Sequence, residues 1–258
     1  MQLTADFHTH TKFSHGKGKV IDNAIAAKVK GLSAIGITDH GFSHPAFGLN
    51  PFKVKPLIRD CKLATEQTGV KVLVGLESNL TSIKGDVDLK PKRYDDFDLF
   101  LVGIHKAVWF KLGSWFPLGL PNTVLSTFKA KKVSDRIYRN TTNALVQAIK
   151  KNPIDIITHL NYSCYLDPVE VAKVAADYGT YIELNSKKVH LTDEQLYNVC
   201  KTGVRFVINS DAHSPDRVAD ISLVEEMLKR VDVPLDRIDN IDGRYPNFRF
   251  TAFKEKSL

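Results

Sequence analysis

The chain has 258 residues, 43% hydrophobic and 25% charged, with a net charge of +7 and a pI near 9.2. This suits one soluble domain of α/β-barrel size with an acidic ligand such as a phosphate or nucleic acid, and it leaves too little chain for a second full domain. No apolar run approaches the roughly 18 residues of a membrane span, residues 1–6 lack the basic and apolar stretches of a secretory signal, and Cys61, Cys164 and Cys200 are odd in number and far apart, which points to reduced thiols in the cytoplasm and away from disulfides or a thiolate metal site.

Residues 3–7 are the first strand candidate. Residues 20–30 read as a helix, with Gly31 just past its end. A strand follows at 34–38, a helix at 56–67 stopped by Gly69, and strands at 70–76 and 99–104. A helix at 142–151 precedes Pro153 and a strand at 154–158. Residues 169–178 are helical before Gly179, and 180–184 form a strand. Thr192 and Gln195 form a capping box opening a helix to Thr202. A strand at 204–208 and a helix at 218–230 complete the series. Regular alternation of strand and helix implies parallel strands with crossover helices, and seven such units can close into a barrel. The connection after Ile104 breaks the rhythm, because residues 105–140 far exceed the usual 2–6 residues of a βα loop.

Seven of the nine histidines fall at or just beyond strand ends. Asp6, His8 and His10 follow the first strand, with His15 five residues later. Asp39 and His40 follow the second, Glu77 the third, His105 the fourth, His159 the fifth, and Asp211 and His213 the seventh. A parallel barrel brings these strand ends together on one face, where the βα loops build the active site. Residues i and i+2 of an extended segment point the same way, so His8 and His10 can face one metal, as can Asp211 and His213. Imidazole and carboxylate together suit Zn, Mn or Fe as divalent ions. His44 and His190 lie outside the pattern, and His190, directly before a helix start, reads as a surface or packing residue.

The segments Asp6-Phe7-His8-Thr9-His10-Thr11, Ile37-Thr38-Asp39-His40-Gly41, Gly75-Leu76-Glu77 and Asn209-Ser210-Asp211-Ala212-His213 resemble the four motifs of the PHP (polymerase and histidinol phosphatase) family. The resemblance covers nearly the whole chain. It implies a distorted (β/α)7 barrel over residues 1–258, with a metal site of up to three ions at the carboxyl-terminal ends of the strands. Carried over motif by motif, one ion takes His8, His10, Glu77 and Asp211; a second shares Glu77 and takes His105 and His159; a third takes His15, His40 and His213. Gly75-Leu76-Glu77-Ser78-Asn79-Leu80 resembles the small stand-alone YcdX-type phosphatases, and Ser14-His15-Gly16 the histidinol-phosphatase branch. Lys106 stands where the YcdX type carries an acidic residue, and the long segment after it has no clear counterpart there.

The expected reaction is hydrolysis of a phosphomonoester of a small molecule by a metal-bridging hydroxide, since coordination lowers the pKa of water from 15.7 to about 7. Two to three transition-metal ions are expected, with Glu77 suited to bridge two of them. Asp6 and Asp39 read either as groups orienting imidazoles or as turn-forming residues beside strand ends. Asn185 reads as a substrate contact or a loop hydrogen bond, and Arg217 as a phosphate clamp or a solvated arginine. Residues 106–139 hold Lys106, Lys111, Lys129, Lys131, Lys132, Arg136 and Arg139 against one acid, Asp135, together with Trp109, Trp115 and four other aromatics. Such a segment can be a lid, a subunit contact, or a platform for single-stranded nucleic acid. Three other functions therefore stay open: a metal-dependent nuclease, a non-catalytic PHP module serving a polymerase, and a barrel amidohydrolase. The complete ligand set argues against the non-catalytic module, and His105 at the fourth strand end, where an amidohydrolase typically has a bridging lysine, argues against the last. The motifs specify a metal centre and not a substrate, one particular metal or an oligomeric state.

Overall fold

Among the described residues, seven parallel strands lie in the order of the chain: β1 Ala5–Thr9, β2 Ala34–Ile37, β3 Lys71–Asn79, β4 Leu99–Gly103, β5 Ile156–Ile157, β6 Tyr181–Asn185 and β7 Phe206–Asn209. The computed structural model describes residues 1–128, 133–162 and 164–256. All strand residues but Lys71 are buried, as strands covered on both faces must be. The sheet closes where Thr9 bridges Ala212 and His10 N donates to Ala212 O at 2.8 Å. Lower down, side-chain amides stand in for the ladder between β1 and β7. Asn240 donates to Ala5 O and Ile208 O and accepts from Ile208 N, while Asn209 Oδ1 accepts from Phe7 N. The result is the nearly closed seven-stranded barrel that the alternation implied.

Helices α1 Val20–Val29, α2 Val54–Thr68, α5 Pro168–Tyr178 and α6 Asp193–Cys200 lie close to their expected places. Their ends carry the expected chemistry: Gly69 and Gly179 take left-handed conformations, and Asp167 caps α5 through Val169 N and Glu170 N. Other boundaries differ. Strand β1 starts two residues later than expected and includes His8, and β3 runs on through Glu77 to Asn79, because the parallel ladder with β4 continues from Gly75 to Asn79. The helix expected at 142–151 begins at Asp135, where Ser134 accepts from Ile137 N, giving α4 Asp135–Lys151. The helix expected at 218–230 shortens to α7 Ser222–Leu228, because Ala219 has a positive φ of 59° and gives its N–H to Asp6. A last helix, α8 Arg249–Glu255, has no counterpart among the expected elements.

The long segment after β4 is folded onto the barrel's side. Trp115–Gly119 forms a π-helical turn that runs into α3 Leu120–Thr127. Buried Asn122 ties α3 to α4 through Thr141 Oγ1 and accepts from Tyr165 N. Lys129, Lys131 and Lys132, the centre of its basic run, lie outside the described residues.

Candidate metal centre

Side chains alternate faces along a strand, and the inward positions change character from the barrel's floor to its mouth. On β3 they run Leu73, Gly75, Glu77, Asn79; on β6 Tyr181, Glu183, Asn185; on β7 Val207, Asn209. The first of each belongs to an apolar floor cluster with Phe7, Leu99, Leu101, Ile156 and Phe248. The later ones carry the chemistry. On β1 the register shifts between Asp6 and Thr9, and this irregularity lets Phe7 fill the floor while His8 reaches the mouth. Gly103 leaves room for two imidazoles, since a Cβ there would lie 2.6 Å from Thr158 Oγ1, 2.8 Å from His159 Cε1 and 3.0 Å from His105 Cε1. His159 and Asp211 have positive φ, 29° and 50°, a conformation L-residues adopt at a cost and that gathers at functional sites.

Glu77 is the hub. Its Oε1 lies 2.7 Å from His159 Nε2, 3.1 Å from His105 Nε2 and 3.4 Å from His8 Nε2. Its Oε2 lies 2.7 Å from His40 Nδ1 and 3.8 Å from His10 Nε2. Asp211 Oδ1 is 3.3 Å from His10 Nε2 and 3.8 Å from His8 Nε2. Three groups bring ligand atoms within 4.8 Å of one another: His8, His10 and Asp211; His40, Glu77 and His105; and His10, His40 and His213. Among the described residues, Glu77 Oε2 and His40 Nδ1 are buried without a partner that meets hydrogen-bond geometry, although 2.7 Å apart. A carboxylate oxygen and an imidazole nitrogen so placed are a donor set that a cation would satisfy, and the mixture of imidazole and carboxylate fits a divalent transition metal.

A surrounding shell fixes these candidate ligands. His8 Nδ1 is 2.7 Å from Glu183 Oε1, so with Nδ1 protonated its Nε2 lone pair faces Glu77 and Asp211. Glu183 also accepts from His159 N, Asn185 and Asn209. His105 Nδ1 meets Asn79 Oδ1 at 2.8 Å, and Asn79 in turn donates to Asp88. Motif reading passed over Glu183, Asn79 and Asp88. The alternation along 181–185 was the signal that put Glu183 on the same face as Asn185.

The electrostatics express the same demand for positive charge. Burial pushes the Glu77 carboxyl up, but His105, His8 and His40 outweigh it and hold the acid well below its ordinary range. Burial opposes charge on His8, yet Glu183, Glu77 and Asp211 raise it well above the usual imidazole value. Its neighbour His10 is driven well below by burial and by His40.

Not every expected residue joins this centre. His15 is exposed, with its ring 5.2 Å from His213 and 4.2 Å from Phe47, and it belongs to none of the three close groups. Asp39 orients no imidazole: it accepts from Thr11 N at 2.7 Å, Thr11 Oγ1 at 2.6 Å and Ser14 Oγ at 2.5 Å, and so shapes the loop between His10 and His15. Burial pushes its acid up to about 6, against those hydrogen bonds. Asp6 likewise ties β1 to Ser210 and Ala219. Arg217 pairs with Asp220 away from the pocket. Asn185 donates to Asp211 Oδ2 at 3.2 Å, which makes it a support for the centre. His44 and His190, set aside by the motif pattern, both line the cavity of about 340 Å³ above the metal groups. Lys187, also unforeseen, brings Nζ 3.4 Å from Asp211 Oδ1 and 3.1 Å from His213 Nδ1.

A parallel barrel whose carboxyl-terminal mouth gathers imidazoles around Glu77 and Asp211 defines a metal-dependent barrel hydrolase. Three comparisons narrow this class. The chain belongs to the PHP domain family, whose model matches residues 6–190. It is 28% identical to a protein named "Probable phosphatase" from Shewanella sp. (strain ANA-3), over 93% of this chain and 88% of that one. A second of that name, from Caldanaerobacter subterraneus subsp. tengcongensis, is also 28% identical, with the same coverage. Among solved structures, histidinol phosphate phosphatase from Lactococcus lactis, complexed with zinc, L-histidinol and phosphate, superposes with a TM-score of 0.59 at 16% identity, covering 89% of this chain and 94% of that one. The family, the barrel and the hydrolase class read from the sequence are borne out.

Proposed function

We propose that the protein is a phosphomonoesterase acting on a phosphorylated small molecule, with two to three divalent ions (Zn, Mn or Fe) held by His8, His10, His40, Glu77, His105, His159, Asp211 and His213, and His15 at the edge. The observation that carries this reading is the Glu77 hub, where one buried carboxylate faces five imidazoles within 3.8 Å. The phosphatase names of its relatives, and the zinc and phosphate of the Lactococcus structure, support it. Metal ions held by these residues would supply a nucleophile at neutral pH and neutralise charge on the phosphoryl oxygens. The chain's own residues do the rest. Glu183 holds the His8 tautomer, Asn79 orients His105, and Thr158 Oγ1 donates to Glu77 Oε1 at 3.1 Å. Lys187 places a fixed positive charge beside Asp211 and His213, where phosphoryl oxygens approach the mouth.

We read residues 1–258 as one domain, with 106–139 packed on its flank; the Asn122 bonds to Thr141 and Tyr165 support this. No described helix is long and apolar enough to cross a membrane, and the three free, buried cysteines favour a reducing, cytoplasmic setting. The test is to count native metals by elemental analysis and assay phosphomonoesters, phosphodiesters and short single-stranded DNA. Two to three Zn, Mn or Fe per chain and faster release from monoesters are expected. No metal after reconstitution, or cleavage of DNA in preference to monoesters, overturns the reading.

A further inference from the structure

Release of one phosphate does not require all the charge on the pocket wall. Three lysines, Lys106, Lys187 and Lys188, line the cavity above the metal groups, and among the described lining residues Asp211 is the one carboxylate. Asp211 is already engaged by His8, His10 and Lys187. Of the three lysines, Lys187 alone is ion-paired among the described residues, and it stays with the metal groups. Lys106 and Lys188 are left as cations facing a cavity of about 340 Å³, room for far more than a phosphoryl group. Like charges converging on a cleft concentrate anions there and repel cations. The flanks are aromatic: Phe47 packs 4.2 Å from the His15 ring, and Tyr162 packs 4.9 Å from His190.

We propose that the substrate is a phosphomonoester carrying a second anionic group, a carboxylate or a second phosphate, which Lys106 and Lys188 receive while the scissile phosphoryl group lies by Lys187. This rests on the phosphomonoesterase reading and fixes its substrate class. An ester whose far end is a cation meets two unpaired lysines and no free carboxylate on the described wall.

The test uses the metal-loaded protein and three esters of one shape: phenyl phosphate, 4-carboxyphenyl phosphate and 4-(aminomethyl)phenyl phosphate. The carboxylated ester should lead phenyl phosphate by about tenfold in kcat/KM, the size of a charged hydrogen bond, and the ammonium ester should be poorest. In a K106Q/K188Q variant the carboxylate advantage should fall towards one, mainly through KM. Calorimetry with benzylphosphonate and 4-carboxybenzylphosphonate gives a readout independent of turnover, and the carboxylated compound should bind more tightly in the wild type only. Equal binding of the two phosphonates, a lead for the ammonium ester, or an advantage unchanged in the variant overturns the second-anion site. Release of phosphate from none of the three esters overturns the phosphomonoesterase reading itself.

Discussion

Two fully buried carboxylates, Glu77 at the mouth and Asp155 at the floor, have their acidities displaced in opposite directions. Asp155 Oδ1 accepts from Phe250 N at 2.7 Å and Oδ2 from Phe100 N at 2.9 Å. Burial pushes its acid up to about 7, with those two amides holding it back only in part. Burial pushes Glu77 the same way, but His105, His8 and His40 reverse the outcome. Desolvation is common to both; what differs is that neutral backbone amides outweigh the more distant charges of Arg249 and Lys254 around one, while groups that can carry charge dominate around the other. The floor satisfies its carboxylate with backbone donors and uses it to hold α8. The mouth leaves Glu77 Oε2, His40 Nδ1, His10 Nδ1 and His159 Nδ1 buried and unbonded. Orphaned polar atoms are costly in a fold, so their gathering at one end marks where binding takes precedence over stability.

The sharpest way to break this contrast is Glu77→Gln. The amide keeps the shape and removes the charge that five imidazoles face. Turnover should fall by more than about 100-fold, beyond the effect expected of a residue outside the ligand set, and bound metal should fall with it. Elemental analysis and phosphate release measured on the same sample check this. Near-normal metal content and rate would show that Glu77 is no more than a buried polar residue, like Asp155.

Glu183→Gln should come next in size. Glu183 accepts from His159 N and faces His8 Nδ1 with its other oxygen, so an amide must turn its nitrogen towards one of those donors. Metal affinity should weaken by roughly 10–100-fold, the usual range for a carboxylate supporting a ligating histidine. Competition with a chelator of known affinity measures it, and an unchanged affinity would separate Glu183 from the centre.

The contrast between the two ends also explains how much could be read in advance. Strand ends followed by His, Asp or Glu gave the barrel, the family and the residues around Glu77. Candidate ligands announce themselves because imidazole is rare and its spacing carries information. The supports do not: Glu183 and Asn79 are ordinary polar residues within strands, and only the inward alternation of β6 and β3 marks them. Asp39 and Arg217 looked equally suited to the site by position, yet Asp39 faces Thr11 and Ser14, and Arg217 faces Asp220. Those choices depend on which way a short loop turns, which local sequence leaves open. The helix at 218–230 was overestimated for a related reason, since the tertiary bond from Ala219 N to Asp6 prevents the first turn.

Asp155→Asn tests the floor, with the smallest effect of the three and none expected on metal content. An amide in place of the carboxyl must direct its nitrogen at either Phe100 N–H or Phe250 N–H, leaving one buried donor unpaired at about 1–3 kcal/mol. That cost should depend on pH in a definite direction. The folded-state pKa of Asp155 lies near 7, above its ordinary 3.8. The fold therefore favours the protonated form; the group's contribution is complete below about pH 4 and is lost as pH rises through 7. Asparagine has no such loss. The variant should consequently be most destabilised relative to wild type near pH 4, with the gap narrowing towards pH 7, as denaturant unfolding of the metal-free proteins at several pH values would measure. A gap that widened with pH would mean that ionised Asp155 is held as an anion by Arg249 and Lys254, whose charges already pull its acid down. The floor carboxylate would then, like Glu77, be governed by cations, and the difference between the two ends of the barrel would be one of degree.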